Sequence, residues 1–273
     1  KSGKKAALRD TSNNLVFTPV PSNQIDNNTG YVVARNGGLP STKLWFFNVT
    51  RNATTGAPVF GGARGVTVPS YTAPANASQP TFTQLIDTLD GRNTQAVQAV
   101  NPSRGTIQSF WTQHTIANGA VSMVRWYEIN PAPATPVILR TGTLASRSSF
   151  IFNAAIAPDR KKNGATVAFG NSFVENHNAS SPTISPRIVA GSSLNGAAVA
   201  FLNVKNGVGP YRDFTCQTAG SVCRWGDYAA MTPDPAPTVA GRGVVWGTNQ
   251  FSGVVNPPPT GVNWRTQIFA LQP

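Results

Sequence analysis

The sequence predicts an all-β fold, and three observations carry that expectation. The chain of 273 residues holds 25 Gly and 22 Pro, and only 12% of its residues are charged while 40% are hydrophobic. That balance belongs to a folded chain with many turns, because a disordered chain is poorer in apolar residues and richer in charge. Short apolar runs are separated by Asn-Gly and Pro, and no amphipathic helical period of useful length occurs. Finally, the stretch Phe152–Phe173 and the stretch Arg224–Phe251 share one order of parts, with Pro-Asp pairs 75 residues apart (159 and 234) and closing Phe residues 78 apart (173 and 251).

Residues 1–14 are polar and basic and read as a tail; the units that follow span about 15–84, 85–145, 146–205 and 206–273. The first unit has runs at Leu15–Thr18, Gly30–Ala34 and Leu44–Val49, with Asn36-Gly37 between the last two as a hairpin loop, and Val66–Val68 as an outer strand. The second has Ala96–Val100, Gly105–Thr112, Val121–Ile129 after Asn118-Gly119, and Pro136–Gly142; Leu85–Leu89 is at most one helical turn. The third is expected at Phe150–Ala157, Ala165–Phe173, Arg187–Ala190 and Ala197–Val204, with turns at Asn163-Gly164 and Asn195-Gly196. The fourth runs from Arg224 through Val244–Phe251 to Asn263–Leu271. Meanders of about four strands repeated every 40–80 residues are the signature of a β-propeller, here of about four blades. A β-sandwich is the rival architecture.

The net charge of +12 arises from 22 Lys and Arg against 10 acids. It favours polyanions in general, but the basic residues are scattered, with clusters only at Lys1-Lys4-Lys5 and Arg160-Lys161-Lys162, and no nucleic-acid reader motif accompanies them. Cys216 and Cys223 stand seven positions apart, and His114 and His177 lie far away in sequence, so a local disulfide is expected rather than a zinc site. Sequons at Asn27, Asn48, Asn52, Asn76 and Asn178 suggest exposed loops. No apolar run approaches the ~18 residues of a membrane span, and the absence of a leader fits a mature or cleaved chain. A secreted or surface location follows as the expectation.

Leu44–Val49, Asp87–Arg92, Trp111-Thr112, Val124–Ile129, and above all Arg224-Trp225-Gly226-Asp227-Tyr228 with Asn263-Trp264-Arg265-Thr266, resemble a family of secreted bacterial sialidase-like β-propellers of largely uncharacterised function. The resemblance covers about residues 30–271. It implies the C-terminal portion of a propeller of six or seven blades, whose partners include the missing N-terminal blades.

A sialidase-like site needs arginines for a carboxylate, a Tyr nucleophile with a Glu, and an Asp acid/base. The residue types are present as Arg125, Arg187, Arg224 and Arg265, Tyr228 or Tyr211, Glu128 or Glu175, and Asp227. The Ser-x-Asp-x-Gly-x-Thr-Trp turn signature is absent, and Arg125 and Glu128, three apart on one strand, point to opposite faces. The favoured expectation is therefore a non-catalytic module that binds an extracellular glycan or protein. A glycoside hydrolase and a structural subunit of a surface assembly are the alternatives. Arg224, Trp225, Asp227 and Tyr228 are the candidate ligand-binding residues, since they alone are peculiar to the last unit; their structural alternative is packing between blades. Asp87 and Asp90 offer oxygens to calcium, with an Asp-capped turn as the preferred reading. No other cofactor is expected. Trp126, Trp246 and Trp264 are read as core, and Trp111 and Trp225 are left open between core and sugar platform.

Overall fold

Among the described residues of the computed structural model, all strands but two lie in an antiparallel meander or pair with the edge of one, the two exceptions forming a short parallel pair of their own. The structure describes residues 7–24, 29–105, 107–159, 170–234, 243–255 and 262–273. Lys1, Lys4, Lys5, Asn27, the Arg160–Lys162 cluster, the Asn163-Gly164 turn and residues 165–169 of the expected strand lie outside them. The strands are β1 (Phe17–Pro21), β2 (Asn23–Gln24), β3 (Gly30–Arg35), β4 (Ser41–Arg51), β5 (Pro58–Phe60), β6 (Arg64–Tyr71), β7 (Leu85–Ile86), β8 (Asn93–Val100), β9 (Gln108–Asn118) and β10 (Val121–Asn130). They continue with β11 (Val137–Leu144), β12 (Phe150–Pro158), β13 (Phe173–Ser181), β14 (Ile184–Ser193), β15 (Ala200–Lys205), β16 (Val222–Cys223), β17 (Ala230–Pro233), β18 (Val245–Val255) and β19 (Val262–Leu271). A 3₁₀ turn at Pro102–Arg104 is the one helical element among the described residues, so none of their helices is long and apolar enough to cross a membrane.

Four curled antiparallel sheets result. Their orders are β1-β3-β4 with β5 and β6 both on β4, β11-β10-β9-β8 with β2 added parallel, β12-β13-β14-β15, and β17-β18-β19. The Asn-Gly turns sit where expected: Gly119 (φ 61°) joins β9 to β10, and Asn195 (φ 49°) with Gly196 (φ 83°) joins β14 to β15. Left-handed backbone is cheap only for Gly and tolerable for Asn, which explains both pairs.

Two expectations change. Leu85–Ile86 is extended, pairing in parallel with Val222–Cys223 instead of forming a helical turn. The second strand of the third sheet is Phe173–Ser181, later in the chain than the expected 165–173.

The edge strands of successive sheets adjoin one another, β1 beside β8, β8 beside β12, and β12 beside β17, which curls the sheets into a half-barrel. Between the first two sheets lie Tyr31, Leu44, Phe46, Phe110, Tyr127 and Ile129. The second and third enclose Trp111, Trp126, Ile151, Ile156 and Phe173. The second, third and fourth meet through Val97, Ala155, Ala157, Val174, Met231 and Val245. The far face of the first sheet, with Val32, Trp45 and Phe47, is covered by Leu8 and Val16.

A buried asparagine network joins the third and fourth sheets. Asn153 Nδ2 donates to Asn178 Oδ1 (3.0 Å) and Asn249 Oδ1 (3.1 Å), while Asn249 Nδ2 donates to the Asn153 carbonyl (2.9 Å) and to Asn176 Oδ1 (2.8 Å). Asn178 is therefore buried despite its sequon, and only Asn52 among the described sequons is fully exposed. Burying amides is tolerable here because partners lie on the neighbouring sheet.

Candidate functional site

The chain from β16 to β17 carries the four candidates, and the structure divides them. Cys216 and Cys223 form the expected disulfide. Beside it Trp225 is buried, its ring edge-on to Tyr211 at 5.0 Å and its Nε1 donating to Asn178 Oδ1 at 2.8 Å. This residue is core. Arg224 and Asp227 are exposed and line a shallow cavity of about 230 Å³ with Asp213, Gln250 and Trp264. Tyr228, 70% exposed, turns the other way into a separate cavity of about 440 Å³.

That second cavity lies where the edge strands converge. Thr18 and Val20 of β1, Asn23 of β2, and Asn93 and Gln95 of β8 form one side, and Arg92 and Tyr228 complete it. Several partners fix these walls. Asn23 Nδ2 donates to Thr232 Oγ1 (3.0 Å), and Gln95 Nε2 to the Met231 carbonyl (2.8 Å), so both tie the inner strands to the last sheet. Arg92 forks onto Asp90, Nε to Oδ1 at 2.8 Å and Nη2 to Oδ2 at 2.7 Å. This bidentate bond raises the Arg92 guanidinium above its ordinary value, with smaller contributions from Asp227 and Tyr228. Arg92 stands over the Phe17 ring at 5.4 Å, and Arg35 over the same ring at 3.9 Å. Two side-chain oxygens behind the wall, Thr18 Oγ1 and Asn93 Oδ1, are sealed from solvent and have no hydrogen-bond partner among the described residues. Unpaired buried polar atoms cost free energy and are uncommon, so a pair of them beside one cavity is notable.

The residues required for a sialidase-like site are not assembled. Arg125 donates to the Pro69 and Ser70 carbonyls, Arg265 to the Trp264 carbonyl, and Arg187 lies on the third sheet away from Arg224. Glu128 is buried and taken up by Arg140 (2.5 Å), Ser109 (2.5 Å) and Asn101 (2.8 Å), on the face opposite Arg125 as the strand period predicts. Tyr211 is buried with its hydroxyl on Asp213 (2.7 Å). As for metals, Asp87 caps its turn by accepting the Leu89 N–H (2.8 Å) and Asp90 is occupied by Arg92. Among the described residues, no group of three or more His, Cys, Asp or Glu is placed to hold an ion.

Trp126 is core, and so are Trp111 and Trp225. Trp246 and Trp264 are not: they are 44% and 52% exposed. The sequence reading missed Arg92, Asn93 and Thr18 as site residues. Arg92 follows an Asp-Gly turn and reads as part of it, and the other two are single polar residues at the ends of apolar runs. Set against protein families, curated proteins and solved structures, the chain matches none of them.

Proposed function

We propose that this chain is a non-catalytic carbohydrate-binding module, secreted or at the cell surface, whose four sheets are blades of a β-propeller and whose ligand enters the cavity between Tyr228 and Arg92. One observation carries the reading: an exposed tyrosine ring, the Arg92 guanidinium and the polar side chains of Asn23 and Gln95 line one cavity of about 440 Å³. Sugars present hydroxyls to polar atoms and C–H faces to aromatic rings, and such a cavity has the size of a small-ligand site. The disulfide is compatible with an oxidising compartment. Two-carboxylate glycoside hydrolysis finds no free pair here, because Asp90 is held by Arg92 and Asp227 lines the other cavity.

A panel of immobilised oligosaccharides, probed with the intact chain and with Tyr228→Ala, tests this reading. The expected result is binding to a defined group of glycans, reduced at least tenfold in the variant. No glycan bound, or binding unchanged in Tyr228→Ala, overturns it, and turnover of a fluorogenic sialoside overturns its non-catalytic part.

A further inference from the structure

A third cavity, of about 330 Å³, opens on the third sheet where the loop from β11 to β12 meets β13, β14 and β15. The strand registers place Glu175, His177, Ala179, Arg187, Val189, Phe201 and Asn203 on one face, because Glu175 pairs with Gly191, His177 with Val189, Ala179 with Arg187, and Asn203 with Val189. His177 and Arg187 are diagonal neighbours there, about 7–8 Å apart at the backbone and within reach of one bound group.

The polar groups of this face are organised around a ligand-sized gap. His177 is almost wholly buried, with Nδ1 2.9 Å from Glu175 Oε2 and its ring edge-on to Phe201 at 6.0 Å. Its Nε2 bonds none of the described residues. Glu175 is 1% exposed, and its second oxygen Oε1 has no hydrogen-bond partner among the described residues. The carboxylate fits only because residue 191 is glycine, whose missing Cβ would overlap Oε1. The Arg187 guanidinium makes no hydrogen bond or ion pair with the described residues, and its Nε is buried. The only acid on this face is already bound to His177, so a cation is left uncompensated. Around it Leu144, Ile151, Val189, Phe201 and Leu202 give the lining an apolar part, with Ser146, Ser149 and Asn203 as its polar part.

We propose that this cavity binds a small carboxylate with an apolar body, independently of the carbohydrate site. Arg187 takes the carboxylate as a two-pronged donor, and the body lies against Val189 and Phe201. Glu175 fixes the His177 ring by accepting from Nδ1–H, so that Nε2 meets the same carboxylate when it carries a proton. An arginine fork with apolar walls selects an anionic head and a hydrocarbon or aryl tail over a sugar.

Calorimetric titration of the full chain with 4-phenylbutyrate and with 4-phenylbutanamide tests the proposal. Saturable binding of the acid is expected, at least tenfold tighter than the amide. Arg187→Met is expected to lose at least tenfold for the acid and little for the amide, and Tyr228→Ala to bind as the parent does. Absence of saturable binding, equal affinity for acid and amide, or full affinity in Arg187→Met overturns it. Should Arg187→Met fail to fold, Phe201→Ala decides: the residue is 56% exposed, and a severalfold loss for the acid is expected, while no loss overturns the placement.

Discussion

The third and fourth sheets share one plan and differ in their neighbours. In each, three antiparallel strands follow one another, β12-β13-β14 and β17-β18-β19. The first two strands of the third sheet are covered on both sides, so every residue of β12 and β13 is buried. The fourth has Val245, Asn249 and Phe251 buried on one face, while Trp246, Trp264 and Ile268 on the other are 44%, 52% and 67% exposed. Identical strand chemistry thus gives core in one place and open surface in another. Whether a tryptophan is core depends on the sheet beside it and not on its strand.

The sharpest way to break this comparison is to truncate a β9 tryptophan that packs against the third sheet and a tryptophan on the open face of the fourth. Trp111 is wholly buried, stacked on Trp126 at 6.1 Å and against Phe173 at 5.4 Å, so Trp111→Ala is expected to cost about 3–5 kcal/mol. Trp264→Ala on the open face is expected to change stability by less than about 0.5 kcal/mol. Urea unfolding measures both, and equal losses would show that the fourth sheet is covered after all.

The link between the two sheets comes next. Asn249→Ala leaves Asn176 Oδ1 and the Asn153 carbonyl without their shared donor, at about 1–3 kcal/mol each. A loss of roughly 3–4 kcal/mol is expected, against under about 0.5 kcal/mol for Thr266→Ala, whose side chain is exposed. Similar midpoints for the two variants would remove the network from the account.

A smaller, pH-dependent effect sits at the end of β12. Burial pushes the Asp159 carboxyl up from 3.8 to about 6, although the Gly170 N–H donates to it at 2.7 Å. A raised pKa means that its stability is fully present below pH 3.8 and is lost as pH rises through about 6, roughly 3 kcal/mol in all. Asp159→Asn is therefore expected to gain on the parent by up to that amount between pH 4 and pH 8. Melting curves at the two pH values give the difference, and a gap that does not widen with pH contradicts the burial argument.

Much of the fold was legible in the sequence, and the exceptions have physical causes. The Asn-Gly turns at Asn118 and Asn195 and the meander of the second sheet were readable because turn chemistry and apolar runs coincide there. β13 was not. Phe173-Val174-Glu175-Asn176-His177-Asn178-Ala179-Ser180-Ser181 is polar through its middle, yet wholly buried, because partners on β12, β14 and β18 satisfy its amides. Burial of polar residues is invisible to hydrophobic period when the partners are distant in sequence. The candidate site was half legible for the same reason. Tyr228 was named, while Trp225 beside it proved to be core and Arg92, Asn93 and Thr18 came from other sheets.

We propose that carbohydrate enters the cavity at Tyr228 and not the open tryptophan face of the last sheet. Calorimetric titration of the best-bound glycan into the parent chain, Tyr228→Ala and Trp264→Ala tests it most directly. The account predicts at least a tenfold loss for Tyr228→Ala and unchanged affinity for Trp264→Ala. Loss in Trp264→Ala with full affinity in Tyr228→Ala would contradict it and move the site to the outer face.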